Sequence, residues 1–108
     1  MLDSIRGKTI RWTFIDGPVA NKQFEHSFQP DGSVKWRMSG GGKGGESAAP
    51  KYEAANLGNG VHAVSYLAPS GYTLTVVLDE RTGQCVGFAS NEKELTLQHG
   101  TWEVVEPR

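Results

Sequence analysis

The chain has 108 residues, among them three Trp, three Tyr, four Phe and 14 Gly, enough for one compact core, so a single domain over residues 1–108 is expected. Its one cysteine, Cys85, excludes an intramolecular disulfide, and its strand-sized apolar runs exclude a membrane-spanning helix. A net charge of −1 does not suit a nucleic-acid partner, and with no secretory signal pattern in Met1–Thr9 the expected compartment is the reducing cytoplasm.

The charge is unevenly spread. Residues 1–51 carry eight Lys/Arg and five Asp/Glu, whereas residues 52–108 carry three and seven. Basic residues spaced singly along strand-like segments do not form a phosphate-binding face; the asymmetry favours antiparallel pairing of the two halves, or self-association as a homodimer.

Residues 1–7 are a short leader whose Leu2 and Ile5 are expected to pack, as a helical turn, over one end of the domain. Lys8–Ile15 alternates apolar Ile10, Trp12 and Phe14 with polar Arg11 and Thr13, the period of a strand with one buried face. Asp16-Gly17-Pro18 is a turn signal. Lys22–Gln29 alternates again through Phe24, His26 and Phe28, and Pro30-Asp31-Gly32 leads into Ser33–Met38, where Val34, Trp36 and Met38 share a face. The Gly-rich stretch 39–50 reads as a flexible loop; its Lys43 is followed by Gly44, not by the Ser/Thr of a phosphate loop.

The second half continues in strands. Tyr52–Leu57 is the weakest of them, followed by Val61–Leu67, the β-branched run Tyr72–Leu78, Gln84–Ser90 and a last strand Leu95–Val105 bent at Gly100. Turns fall at 56–60, at Ala68-Pro69-Ser70-Gly71, at 79–83 and at 91–94. About eight short strands without a long helix predict an all-β fold, an antiparallel up-and-down barrel in which closure removes exposed edges. A barrel of about eight strands has room for its own side chains and one small ligand.

Several stretches carry a resemblance. Ser65-Tyr66-Leu67-Ala68-Pro69-Ser70-Gly71 with its Thr/Val-rich following strand, Gly7–Phe14, and Trp36-Arg37-Met38-Ser39-Gly40 resemble the calycin (lipocalin-like) barrels of the MoaF and phenolic acid decarboxylase proteins. Gly71–Asp79 and Val86–Asn91 are closer to the small MoaF-like domains. The resemblance implies that decarboxylases use two tyrosines on the first strand and a glutamate just before the Pro-x-Gly turn. The matching positions here are Trp12, Phe14 and Ala68, none of which supplies a proton or grips a carboxylate, so the fold is expected to carry over without that chemistry.

If Trp12, Phe14 and Ala68 line the barrel, strand parity also turns Ile10, His62, Val64 and Tyr66 inward. The alternating patterns independently place Phe24, His26, Phe28, Val34 and Trp36 inside. An aromatic interior with a few polar tips is typical of a small-molecule pocket. The expected function is therefore the binding of a small, apolar or aromatic ligand, with Trp12, Phe14, Phe24, Trp36 and Tyr66 as walls, His26 and His62 orienting it, and 39–50 as a lip. No catalytic set, cofactor or metal centre is expected: His26, His62 and His99 show no His-x-His pair. Two alternatives stay open, an enzyme acting on a small aromatic or amine-derived metabolite with a histidine as acid/base, and a structural or dimerisation module without a ligand.

Overall fold

The computed structural model describes residues 2–38 and 50–105, so the Gly-rich stretch 39–49 and the lip expected of it lie outside the described residues. Eight strands follow one another: β1 Thr9–Phe14, β2 Gln23–Phe28, β3 Val34–Met38, β4 Tyr52–Gly58, β5 Val61–Leu67, β6 Thr73–Asp79, β7 Gln84–Ser90 and β8 Leu95–Val105. All belong to one antiparallel sheet in the order β3-β2-β1-β8-β7-β6-β5-β4, in which consecutive strands lie side by side except β3 and β4 at its two ends, and β1 pairs with β8. That is an up-and-down barrel. Its remaining seam, between β3 and β4, is held among the described residues by the Ser33–Lys51 bridge and two flanking bonds, Val34 N to Pro50 O at 2.9 Å and Tyr52 N to Gly32 O at 3.0 Å.

The sequence alternation becomes the two faces of this sheet. Ile10, Trp12 and Phe14 of β1, Phe28 of β2, Val34 of β3, Tyr52 of β4, Val64 and Tyr66 of β5, Val76 and Leu78 of β6 and Cys85 of β7 form the buried core. Burial pushes the Cys85 thiol up to about 12, which suits a packed, unreactive sulfur. On β4 only Tyr52 is buried; Glu53–Gly58 is exposed, in keeping with the weak strand pattern there.

The outer face has its own order. Glu25 on β2 is only 6% exposed although it points away from the core. Arg11 on β1 donates to Glu25 Oε2 at 2.8 Å and to Glu103 on β8 at 3.1 Å, and Arg37 on β3 donates to Glu25 Oε1 at 3.2 Å. These residues are direct cross-strand neighbours in the ladders. The basic first half thus meets the acidic second half along the β1–β8 seam, at Arg11–Glu103.

The leader closes one end of the barrel without forming a helix. Ile5 is 1% exposed, Gly7 N donates to Phe28 O, Arg6 donates to Pro30 O, and Asn56 donates to Asp3 O. Leu2 N reaches both carboxylate oxygens of Glu80 at 3.0 Å, and Glu80 Oε2 also lies 2.9 Å from Nε2 of the buried His62. Burial raises the Glu80 pKa, but the bonds to His62 and Leu2 outweigh it and the net shift is downward. The carboxylate therefore contributes stability above its ordinary value near 4.5 and loses it as pH falls through its lowered folded value. Glu80→Ala is expected to cost about 1–3 kcal/mol, because His62 is left buried without its partner. The check is urea unfolding together with amide exchange: the Leu2 amide should lose protection while the β6–β7 ladder keeps it, and an unchanged Leu2 amide would refute the Leu2–Glu80 bond.

Candidate functional site

At the end opposite the leader the barrel interior is open space. A cavity of about 250 Å³ is walled by Trp12, Phe14, Phe24, His26, Trp36 and Tyr66, six of the seven residues expected from the sequence. Val19 from the β1–β2 loop, Ser70 from the β5–β6 turn, Leu74 and Val76 from β6, Gly87 and Ala89 from β7 and Gln98 from β8 complete most of the wall. Among the described residues no Asp, Glu, Lys or Arg is part of it. The aromatic half comes from β1, β2 and β3, whose inward positions are rings at nearly every step; the aliphatic half comes from β6 to β8.

His26 is the central polar group. Its imidazole lies 4.0 Å from the Trp12 ring at 21° and 6.2 Å from the Trp36 ring at 19°, near-parallel to both, as β2 lies between β1 and β3. Its Nε2 is 2.7 Å from the Tyr66 hydroxyl on β5. Since β2 and β5 are not neighbours in the sheet, that bond crosses the barrel interior. Burial lowers the His26 pKa to about 3 and pushes the Tyr66 phenol well above its ordinary range, so both are neutral at pH 7. Two nitrogens of this wall, His26 Nδ1 and Trp36 Nε1, are buried without a hydrogen-bond partner among the described residues.

The mouth is framed by short connections. Gln98 accepts from Val19 N at 3.3 Å and so holds the β1–β2 loop over the rim. Asp16 accepts from His99 N at 2.7 Å and pairs with His99 Nδ1 at 2.8 Å on the outside. Tyr72 donates to Glu94, tying the β5–β6 turn to the β7–β8 turn.

The histidines do not converge, and among the described residues no three of His, Cys, Asp and Glu form a metal-ligating group. His26 is in the cavity, His99 is on the outer rim with Asp16, and His62 is at the leader end with Glu80. His62 is placed apart from the other six: parity turns it inward, and it is 1% exposed, yet it does not line the cavity. It sits four residues before Tyr66 along β5, opposite Leu78, and strand rise of about 3.3 Å per residue puts it a good 13 Å nearer the closed end. Of the positions matched to decarboxylase residues, Trp12 and Phe14 line the cavity, whereas Ala68 is packed beside the core at the end of β5, its N–H donating to Tyr72 O.

Sequence reasoning missed the aliphatic half of the wall and Gln98. Period-2 alternation on β6 and β8, carried along from Leu74 and from Gln98, holds that signal. Val19 and Ser70 lie in connections, where no period exists to place them. A second concavity is lined by apolar Ile15, Val77 and Val86 together with polar groups such as Asp16, Asp79 and His99, and encloses none of the aromatic wall residues.

The profile of the MoaF N-terminal domain family matches residues 1–94. The chain is similar in structure to a crystal structure from Burkholderia vietnamiensis described as a candidate beta-lactamase, with a TM-score of 0.74, 14% sequence identity, and coverage of 94% of this chain and 95% of that one. At that identity the likeness is one of fold. No curated protein matches the chain significantly.

Proposed function

The chain belongs to the MoaF N-terminal domain family, and from that premise we propose that it is a small-molecule-binding barrel whose ligand is apolar or aromatic and occupies the cavity around His26. The observation that carries this reading is the cavity itself: about 250 Å³ of interior space walled by mostly aromatic and aliphatic side chains, with no charged group among the described residues. Interiors of this kind are otherwise packed close to crystal density, so retained apolar space is a feature to be explained. Trp12, Phe14, Phe24, Trp36 and Tyr66 give the ring surfaces, and His26 orients the ligand. His62 supports the closed end.

The same groups argue for binding over catalysis. A histidine whose pKa is lowered to about 3 is a weak base at neutral pH, and a phenol raised by burial is a weak acid. The buried, unpaired Cys85 is consistent with a reducing, cytoplasmic setting, and among the described residues no helix is long and apolar enough to cross a membrane.

Ethylbenzene tests the reading. It is small enough for the cavity and offers nothing but apolar surface. Saturable uptake of one molecule per chain is expected, seen as shifts of the Trp12 and Trp36 indole N–H resonances with Trp102 unmoved. Leu74→Trp, which fills the wall from β6, should remove that binding while the chain stays folded. Non-saturable shifts spread over the surface, or binding untouched by Leu74→Trp, would sink the proposal.

A further inference from the structure

The outer face of β5 to β8 is unlike that of β1 to β3, which carries the Arg11, Glu25 and Arg37 cluster. On β5 to β8 the ladders align outward residues in rows. Leu67, Thr73, Ser90 and Leu95 form one row, and Ser65, Thr75, Phe88 and Leu97 the next. Ala63, Val77, Val86 and His99 form a third, extended by Ile15, whose N–H donates to His99 O. Their chain neighbours Tyr66, Leu78 and Cys85 belong to the core, so the rows point away from it. No Asp, Glu, Lys or Arg stands in these three rows.

Relief divides the face in two. Leu67, Leu95 and Leu97, between 47% and 75% exposed, make with the exposed Phe88 an apolar ridge toward the β7–β8 turn. Farther along the same strands, Ile15, Val77 and Val86 supply the apolar part of the second concavity, of about 480 Å³. The carboxylates of that hollow have partners: Asp16 pairs with His99, and Asp79 accepts from Arg81. Interface cores are the surfaces from which charge is depleted, and covering the ridge removes apolar area from water.

We infer that two copies of this chain meet on this face as an isologous dimer, the ridge of each seated in the hollow of the other. A two-fold axis lying in the interface and crossing the strands between the Val86 and Phe88 rows exchanges ridge and hollow. The face thus carries both halves of its own match, and self-apposition sets no like charges against each other along the ridge. A nucleic acid, an anionic membrane or a charged peptide would find no counter-charge there. The hollow adds a fourth row, Asp79, Gln84 and Thr101. Four strands about 4.8 Å apart and four rows about 6.7 Å apart project to roughly 500 Å² per partner. That total reaches the lower bound of about 1,000 Å² for a specific interface, so a weak dimer with a dissociation constant on the order of 10–100 µM is expected.

Sedimentation velocity of the full chain between about 5 and 500 µM reads the association. The parent should pass from monomer to dimer over that range and stop there. Leu97→Lys on the ridge and Val86→Glu in the hollow should each hold the chain monomeric. Leu57→Lys makes the same change at an exposed leucine of β4 outside this face, and should leave the dimer intact. An equal mixture of the Leu97→Lys and Val86→Glu chains should dimerise again, because one ridge-to-hollow contact gains a Lys–Glu pair and the other keeps the parent side chains. Melting curves establish that each variant is folded, and Leu95→Lys on the same ridge replaces Leu97→Lys if that chain unfolds. A parent monomeric at about 500 µM, a dimer indifferent to the ridge substitution, loss of the dimer in Leu57→Lys, or a mixture that stays monomeric overturns the inference. Association that continues past the dimer also overturns it, since a head-to-tail contact does not close.

Discussion

Lowering the pH from 7 to 4 should weaken the folded chain by roughly 3 kcal/mol through His26 alone. In the unfolded chain this imidazole titrates at its ordinary value near 6.5, whereas burial lowers it to about 3 in the fold. The folded value is depressed, so the unfolded state takes up the proton first. The stability contribution is complete above 6.5 and drains away as pH falls toward 3. Nothing around the ring offsets this: Trp12, Phe28 and Trp36 carry no charge, and Tyr66, which faces it across the barrel, is neutral over the whole window. Urea midpoints at pH 7, 5.5 and 4 for the parent chain and for His26→Phe give the measurement. The parent should lose stability steeply across that range, and the variant should lose about 2–3 kcal/mol less. Parallel slopes in the two proteins would mean that His26 is not buried as a neutral ring.

Gly100→Ala is the substitution with the largest expected effect. A Cβ there would stand 2.2 Å from Thr13 O, 3.0 Å from Thr13 C and 3.1 Å from Phe14 Cα, all backbone atoms of the neighbouring β1. Neither strand can retreat. β8 is paired on both sides, Gly100 standing opposite Phe14 on β1 and Cys85 on β7, and β1 is held by β2 as well. Relief therefore means breaking ladder bonds at the closing seam of the barrel. Overpacking against an immobile neighbour costs about 1–3 kcal/mol and the lost bonds roughly 1 kcal/mol each, for a total near 3 kcal/mol. In a domain of this size that lowers the melting temperature by on the order of 10–20 °C. Gly87→Ala is the control: its Cβ would meet the Phe14 ring at 3.0 Å, a side chain that can turn into the cavity. It should cost about 1 kcal/mol or less. Similar melting temperatures for the two variants would show that the β1–β8 approach is not close.

Much of this architecture is legible residue by residue. The alternation through Ile10, Trp12 and Phe14 gives β1 its buried face, and the turn residues between strands separate the runs that become β5, β7 and β8 at their observed bounds. Gly100, where a bend is expected, stands where β8 comes close against the backbone of its ladder partner β1. What the pattern does not contain is height along the barrel. His62 and Tyr66 have the same parity on β5, yet one faces Glu80 at the closed end and the other faces His26 in the cavity. Nor does it show that Glu25, an outward residue, is covered by Arg11 and Arg37 from both flanking strands.

The amino-acid order by itself thus determined the strands, their inward faces and the aromatic character of the interior, because a period of two is a local property of extended backbone. Only the tertiary structure decided which inward residues meet. The His26–Tyr66 bond joins strands that are not neighbours in the sheet, and the two buried nitrogens without partners are recognisable only once the surrounding strands are in place. Those facts depend on register, tilt and curl of the whole sheet, quantities set by all eight strands together.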